Sequence, residues 1–112
     1  MMSDYKRCVK ICDETDYSDV NSVKKHNDSV SEMREIVKKS ANNQKLFTEL
    51  CFLLDDTRCA GWLSFQFLEL CNVNKDIEGK CLIIIEEITK SSGVKKMGAQ
   101  MWLKQYHKNR LA

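Results

Sequence analysis

The stretch Asp55–Cys71, DDTRCAGWLSFQFLELC, constrains the fold of this chain more than any other part of its sequence. It opens on the turn signal DDT and continues with aromatic and aliphatic residues at helical spacing. At about 100° per residue these side chains fall on two arcs. The wider arc, which we predict to be core, holds Cys59, Ala60, Leu63, Phe67, Leu70 and Cys71, and the narrower arc holds Arg58, Trp62, Phe65 and Glu69. A helix with two apolar arcs is typical of a helix packed between other helices, so the stretch predicts an all-helical fold around it.

Helical patterns also occupy the sequence on both sides of this stretch, and no proline interrupts them. The predicted ranges are 3–12, 19–39, 43–54, 74–89 and 94–110, which gives five or six helices in all. Three pairs of residues are predicted N-terminal caps, because their short side-chain oxygens accept hydrogen bonds from free amides: Ser18 or Asp19, Asn42 or Asn43, and Asn74 or Asp76. Gly93 is predicted to end the helix before it with a left-handed backbone.

Three segments carry finer predictions. In the helix 19–39 the apolar stripe runs through Val20, Val23, Asn27, Val30, Met33 and Val37. Asn27 is predicted to be a buried amide that bonds neighbouring backbone, with an interaction role as the alternative. The run CLIII at 81–85 has the composition of a buried strand, but apolar offsets of three and four favour a helix. Gly61, and Gly98 beside Ala99, predict close approach of neighbouring helices.

Length, hydrophobic content and net charge limit the classes of protein to which the chain can belong. A length of 112 residues with 43% hydrophobic content is typical of one domain, 1–112, with one core. The formal charge of +2 with 30% charged residues argues against a dedicated nucleic-acid binder, which usually has a strong basic excess. The N-terminal segment lacks the apolar run of a signal peptide, and no apolar run reaches the length of a membrane span. We therefore expect a soluble, cytoplasmic protein.

No catalytic motif is present in the sequence. The six cysteines are expected to be free thiols that serve as small apolar core residues. A metal site formed by Cys8, Cys12 and His26, and a catalytic Cys–His pair assembled from distant positions, remain alternatives. The adjacent carboxylates Asp55–Asp56 and Glu86–Glu87 fit capping and solvation better than acid–base chemistry. The prediction is a non-enzymatic protein that holds neither a metal nor a cofactor.

Several motifs resemble a known family. The segment LLDDTRCAGWLSFQFLEL resembles the HEAT-like repeat unit, in which an Asp turn joins paired helices and an Arg opens the second. More closely, DDTRCAGW with LEL, then IIIEEI, then GAQMWLKQY, look like a bacterial family of small HEAT-like, armadillo-type domains of unknown function. The resemblance covers about 19–110. It implies an all-α fold of five to six antiparallel helices in an α-solenoid-type stack.

The same resemblance implies a function. Such domains are similar to proteins encoded beside secreted polymorphic toxins, as in contact-dependent inhibition, where a cytosolic immunity protein binds and neutralises the cognate toxin. A basic nuclease domain would be opposed by acidic residues here, and Trp62 and Phe65 would be anchors if exposed. The candidate partner-binding residues are Glu49, Asp55, Asp56, Arg58, Trp62, Phe65, Glu69, Glu86 and Glu87.

Two alternatives from other functional classes stay open. One is a structural or adaptor repeat domain that self-associates or joins a larger assembly. The other, less favoured, is a nucleic-acid-associated protein that contacts phosphates through Lys95, Lys96, Lys104, Lys108 and Arg110. No membrane partner is expected.

Overall fold

The computed structural model describes the backbone of residues 2–111 and the side chains of residues 2–109. Over that range the chain is helical and has no strand, which confirms the all-α prediction. The helices are α1 (Met2–Asp13), α2 (Val20–Ser40), α3 (Gln44–Phe52), α4 (Ala60–Leu70), α5 (Lys75–Thr89) and α6 (Val94–Leu111), with a 3₁₀ turn at Leu53–Asp55. The CLIII run lies within α5, so its spacing outweighed its strand-like composition. None of these helices combines the length and apolar content that a bilayer crossing requires.

Local capping chemistry sets most of the helix ends as predicted. Asp19, Asn43 and Asn74 are the residues that cap α2, α3 and α5, and each side-chain oxygen accepts hydrogen bonds from backbone N–H groups two or three positions on. Gly93 has a φ of 87° between α5 and α6, the left-handed conformation that glycine adopts without a steric penalty.

The turn signal DDT is confirmed, but neither Asp55 nor Asp56 is the N-cap of α4, because a longer turn separates them from the helix and its N-cap is Cys59. The 3₁₀ turn ends at Asp55, and α4 begins at Ala60. Between them, the Asp56 carboxylate accepts from the Arg58 N–H at 2.9 Å, and the Asp56 carbonyl accepts from the Cys59 and Ala60 N–H groups at 3.0 and 2.8 Å. Asp56 thus organises the first turn ahead of the helix, as a capping residue does.

The core is assembled mainly from α1 to α5. α1 packs against α2 and α3, α4 packs against α2 and α5, and α6 packs against α5. The most completely buried side chains include Tyr5, Val9, Met33, Leu50, Leu63, Phe67 and Ile85. On α4, residues of the predicted wide arc are buried from Cys59 to Phe67, while Leu70 and Cys71 pack on the core from half-buried positions. The interpretation of α4 as a helix between neighbours is therefore confirmed.

The apolar stripe predicted for α2 is confirmed in its C-terminal part, where Met33 and Val37 are buried and Val30 packs on the core, but not at Val20 and Asn27. Val20 is 84% exposed and Asn27 is exposed, so the prediction of a buried Asn27 amide is wrong. The other buried residues of α2 are Ser29, Ile36 and Ser40. Two of these are serines, whose small side chains fit where helices approach closely but carry no hydrophobic signal in a sequence pattern.

The two predictions of close helix approach have different outcomes. A Cβ added at Gly61 would meet the Ile88 Cδ1 atom at 3.3 Å, which confirms that α4 and α5 approach closely there. A Cβ added at Gly98 would meet nothing within 4 Å. The close approach predicted at Gly98 is therefore wrong, while the neighbouring Ala99 is buried, at 2% exposed.

Candidate functional site

One side of α6 attaches the helix to the rest of the protein. Ala99 is buried, while Trp102 and Tyr106 are half-buried and stack on each other with ring centroids 5.0 Å apart. Trp102 also meets Phe65 of α4 edge-on, with ring centroids 5.1 Å apart. The Tyr106 hydroxyl donates a hydrogen bond to the Glu78 carboxylate of α5 at 2.6 Å. These residues form the inner face of α6.

The opposite side of α6 is apolar but uncovered. Val94, Met97 and Met101 are 87%, 64% and 71% exposed. Their offsets of three and four place them on one stripe, which Lys104 and Lys108 continue toward the C-terminus. We call these five residues the outer face of α6. Single exposed apolar residues are ordinary, whereas three on adjacent turns of one helix are typical of an interaction surface.

Charge is segregated between α6 and the rest of the chain. The helix contains five of the 18 basic residues, namely Lys95, Lys96, Lys104, Lys108 and Arg110, and none of the 16 acidic residues. With both histidines neutral, α6 therefore carries a formal charge of +5 and the rest of the chain −3. The near-neutral total of +2 conceals a basic helix on an acidic body.

Three of the predicted acidic site residues make ion pairs with neighbouring helices or turns. The Asp55 carboxylate lies 2.8 Å from the Lys80 ammonium of α5. The Glu69 carboxylate lies 3.8 Å from the Arg34 guanidinium of α2. Glu87 pairs with Lys90 at 3.4 Å. Because these pairs are exposed, each contributes about 0–1 kcal/mol to stability, but each partly neutralises the negative charge that a basic partner would meet.

The other acidic candidates lie on separate elements. Glu49 is half-buried on α3, Asp56 is half-buried in the turn before α4, and Glu86 is exposed on α5. Arg58 is exposed in the same turn as Asp56. The structure places Asp56 and Arg58 in one turn and distributes the acidic candidates over α3, α4, α5 and the turns before α4.

Trp62 and Phe65 are half-buried rather than exposed, and they contact different neighbours. Trp62 packs on the core and meets the His26 ring edge-on, with centroids 6.1 Å apart. Phe65 packs against Trp102 of α6. The narrow arc of α4 is thus a packing seam toward α2 and α6, and its two aromatic residues are not anchors left open for a partner.

Polar side chains inside the core were not foreseen from the sequence. The Tyr5 hydroxyl donates to the Gln66 Oε1 atom across the core, and burial raises the pKa of Tyr5. The Ser64 hydroxyl is fully buried and makes no ordinary hydrogen bond within the part of the chain that the structure describes; its polar neighbour is the Cys81 thiol. Burial raises the pKa of Cys81 to about 11, although Ser64 opposes that shift. A thiol held in its neutral form is a poor nucleophile, so we interpret Ser64 and Cys81 as structural residues of the core.

The proposed metal ligands are oriented apart. The Cys12 thiol points to the His26 backbone carbonyl at 3.9 Å, while the His26 ring bonds the Thr15 hydroxyl at 3.0 Å through Nδ1. Across residues 2–109, no three His, Cys, Asp or Glu side chains come together as metal ligands. All six cysteines are free thiols, four of them buried.

Comparison with protein-family models, with curated proteins and with solved structures found no match to this chain. The HEAT-like and immunity interpretations therefore remain predictions. The outer face of α6 was not recognised in the sequence, although two signals mark it. A helical projection separates Val94, Met97 and Met101 from Ala99, Trp102 and Tyr106, and acidic residues are missing from the whole helix.

Proposed function

We propose that this chain is a non-enzymatic protein-binding domain whose partner docks on the outer face of α6. The observation that carries the proposal is the exposed stripe of Val94, Met97 and Met101 on a helix already held by its opposite side. An amphipathic helix normally buries its one apolar face, so a second apolar face serves association rather than folding. Methionines suit such a surface, because their flexible, polarisable side chains adapt to a partner.

The charge of α6 defines the chemistry of the partner. A surface that follows Val94, Met97 and Met101 with Lys104 and Lys108 complements an apolar groove with an acidic rim. A second copy of the chain, docked face to face through α6, would oppose two helices of the same basic charge. Like charges at an interface cost several kcal/mol, so the favoured partner is a different protein.

Within that function, the resemblance supports a cytoplasmic immunity role and a HEAT-like stack of antiparallel helices. Packing between consecutive helices, α1 on α2, α4 on α5 and α5 on α6, is compatible with such a stack. The domain would cover the active site of a toxin, or a surface next to it, and exclude the substrate. A basic nuclease would need the acidic candidates Glu49, Asp56 and Glu86, whereas an acidic toxin surface would use α6.

The test is co-purification of the chain with the product of the adjacent upstream gene. We expect a stable complex with the wild type and at least a ten-fold loss of affinity for the Met97→Asp, Met101→Asp double variant. Ile83→Asp is the matched control, because Ile83 is 62% exposed on α5 and lies outside the α6 stripe. Circular dichroism of each variant establishes that helix content is retained.

The outcomes separate the parts of the proposal. Equal affinity for the double variant and the wild type would place the binding surface away from α6. Absence of a complex with the adjacent gene product would overturn the immunity role. A stable complex between copies of this chain, lost in the double variant, would replace the immunity reading with a self-associating adaptor.

A further inference from the structure

A groove of about 550 Å³ lies between α1 and the turn that precedes α4. One wall is the face of α1 that carries Lys6, Arg7 and Lys10, whose offsets align them along the helix. The opposite wall is the turn containing Asp56 and Arg58. The groove is far in sequence from α6 and plays no part in the proposed docking of a protein there.

The walls of this groove carry an excess of positive charge. Among the described residues, nine line the groove; four of these are basic, and Asp56 is the one acidic residue. Arg7 is already paired with Glu32. Within residues 2–109, Lys6, Lys10 and Arg58 make no ion pair, so the groove is lined from two walls by three cationic residues that no carboxylate neutralises at ion-pair distance. The Asp56 carboxylate is turned to its own backbone, where it accepts from the Arg58 N–H.

The floor of the groove is apolar and uncharged. Val9 and Cys59 are 1% and 2% exposed. Burial, with a contribution from Asp56, raises the pKa of the Cys59 thiol to about 11, although Lys6 and Arg58 lie near enough to oppose the shift. The thiol therefore stays neutral at physiological pH and does not neutralise the cations above it.

From this geometry we infer that the groove binds a small molecule carrying phosphoryl groups with at least two negative charges. A phosphoryl group presents several oxygens on one centre and so accepts donors that converge from two walls, whereas a lone carboxylate presents two oxygens in one plane. The volume falls in the range of small-molecule sites, about 300–1,000 Å³. None of the nine lining residues that the structure describes is aromatic, and aromatic residues form the stacking platform on which proteins bind the bases of single-stranded nucleic acid.

Isothermal titration calorimetry with pyrophosphate, and separately with inorganic phosphate, tests the inference on the full chain. We expect pyrophosphate to bind more tightly, because it carries more charge. The Lys10→Gln, Arg58→Gln double variant should lose at least ten-fold in affinity. Lys25→Gln, which removes one exposed lysine of α2 outside the groove, is the matched control and should bind as the wild type does.

A second measurement locates the ligand without a variant. Addition of pyrophosphate to the wild type should shift the methyl NMR signals of Val9, which lies on the floor, and leave those of Val94 on α6 in place. Pyrophosphate affinity that is unchanged in the double variant, or unmoved Val9 signals at saturation, would overturn the inference. The inference would also be overturned if the protein bound polyglutamate or single-stranded RNA in the groove but did not bind pyrophosphate. The ligand would then be an acidic protein segment or a nucleic acid.

Discussion

The buried hydroxyls of Tyr5 and Ser64 lie in the same core but differ in their partners. Tyr5 bonds Gln66, whereas Ser64 makes no ordinary hydrogen bond among the described residues. Tyr5→Phe leaves the Gln66 oxygen buried and unsatisfied, so we expect a loss of about 1–3 kcal/mol in the free energy of unfolding. Ser64→Ala removes a hydroxyl whose polar neighbour is the Cys81 thiol, which is only a weak acceptor, so we expect a change near zero or a loss smaller than that of Tyr5→Phe. Urea denaturation measures both, and equal losses would contradict this account of the core.

The buried thiols make stability depend on alkaline pH. Burial raises the pKa of Cys8, Cys59 and Cys81 to about 11 in each case, from an ordinary 9.0. Below pH 9 these thiols are protonated in both the folded and the unfolded state, so the two states bind the same number of protons there. Between about pH 9 and 11 the unfolded chain releases protons that the folded protein retains, so the free energy of unfolding should fall as pH rises through that window.

Denaturation at a series of pH values measures this decline. The pKa is raised in all six cysteines, and Cys81→Ala removes one of the three whose pKa rises to about 11, so it should make the alkaline decline shallower than in the wild type. An identical slope in the variant would show that Cys81 does not contribute to the pH dependence.

At the scale of the helices, two glycines that look alike in sequence have different surroundings. Gly98 of α6 faces open space, so Gly98→Ala should stabilise the protein by about 0.4–1 kcal/mol through reduced entropy of the unfolded chain and better helix propensity. At Gly61 the added methyl meets Ile88 at 3.3 Å, so Gly61→Ala should stabilise less or destabilise. Thermal unfolding of the two variants compares the changes in stability. A larger gain in stability from Gly61→Ala than from Gly98→Ala would contradict the close packing of α4 on α5.

Among the helices, α6 is the one whose sequence pattern says least about which face is buried. Its apolar residues fall on two faces, one anchored by Ala99, Trp102 and Tyr106 and the other exposed. Periodicity identifies both faces as apolar, but it does not say which of them meets the body of the protein. The structure resolves this through the contact of Trp102 with Phe65, a residue of α4 that is 37 positions away in sequence.

Across the whole molecule, α6 is expected to open independently of the main core. The main cluster of buried residues comes from α1 to α5, whereas α6 is held largely by aromatic contacts at its inner face. Trp102→Ala should weaken that attachment by about 1–3 kcal/mol, less than the about 3–5 kcal/mol typical of a fully buried aromatic residue. Amide hydrogen exchange in α6 should then accelerate about ten-fold or more, while exchange in α1 and α3 changes little.

Met101→Ala is the control for this prediction, because Met101 is 71% exposed on the outer face of the same helix. It should leave the exchange of α6 nearly unchanged. Uniform acceleration across all helices in Trp102→Ala would instead mean that α6 unfolds together with the core.

The features that the sequence determined by itself are those governed by neighbours along the chain. Helix positions, the capping roles of Asp19, Asn43 and Asn74, and the left-handed Gly93 follow from interactions that span a few residues, so periodicity and side-chain chemistry predict them. The helical character of CLIII belongs to the same class.

Only the tertiary structure decided which faces are buried and which surfaces remain open. The packing of the helices leaves Val20 and Asn27 of the predicted α2 stripe exposed. The bond from Tyr5 to Gln66 spans 61 positions, and the ion pair of Asp55 with Lys80 also joins residues distant in sequence. Such contacts depend on how the helices pack, and several packings satisfy the same hydrophobic pattern. For that reason the candidate surfaces, the outer face of α6 and the basic groove beside α1, emerged only once the helices were in place.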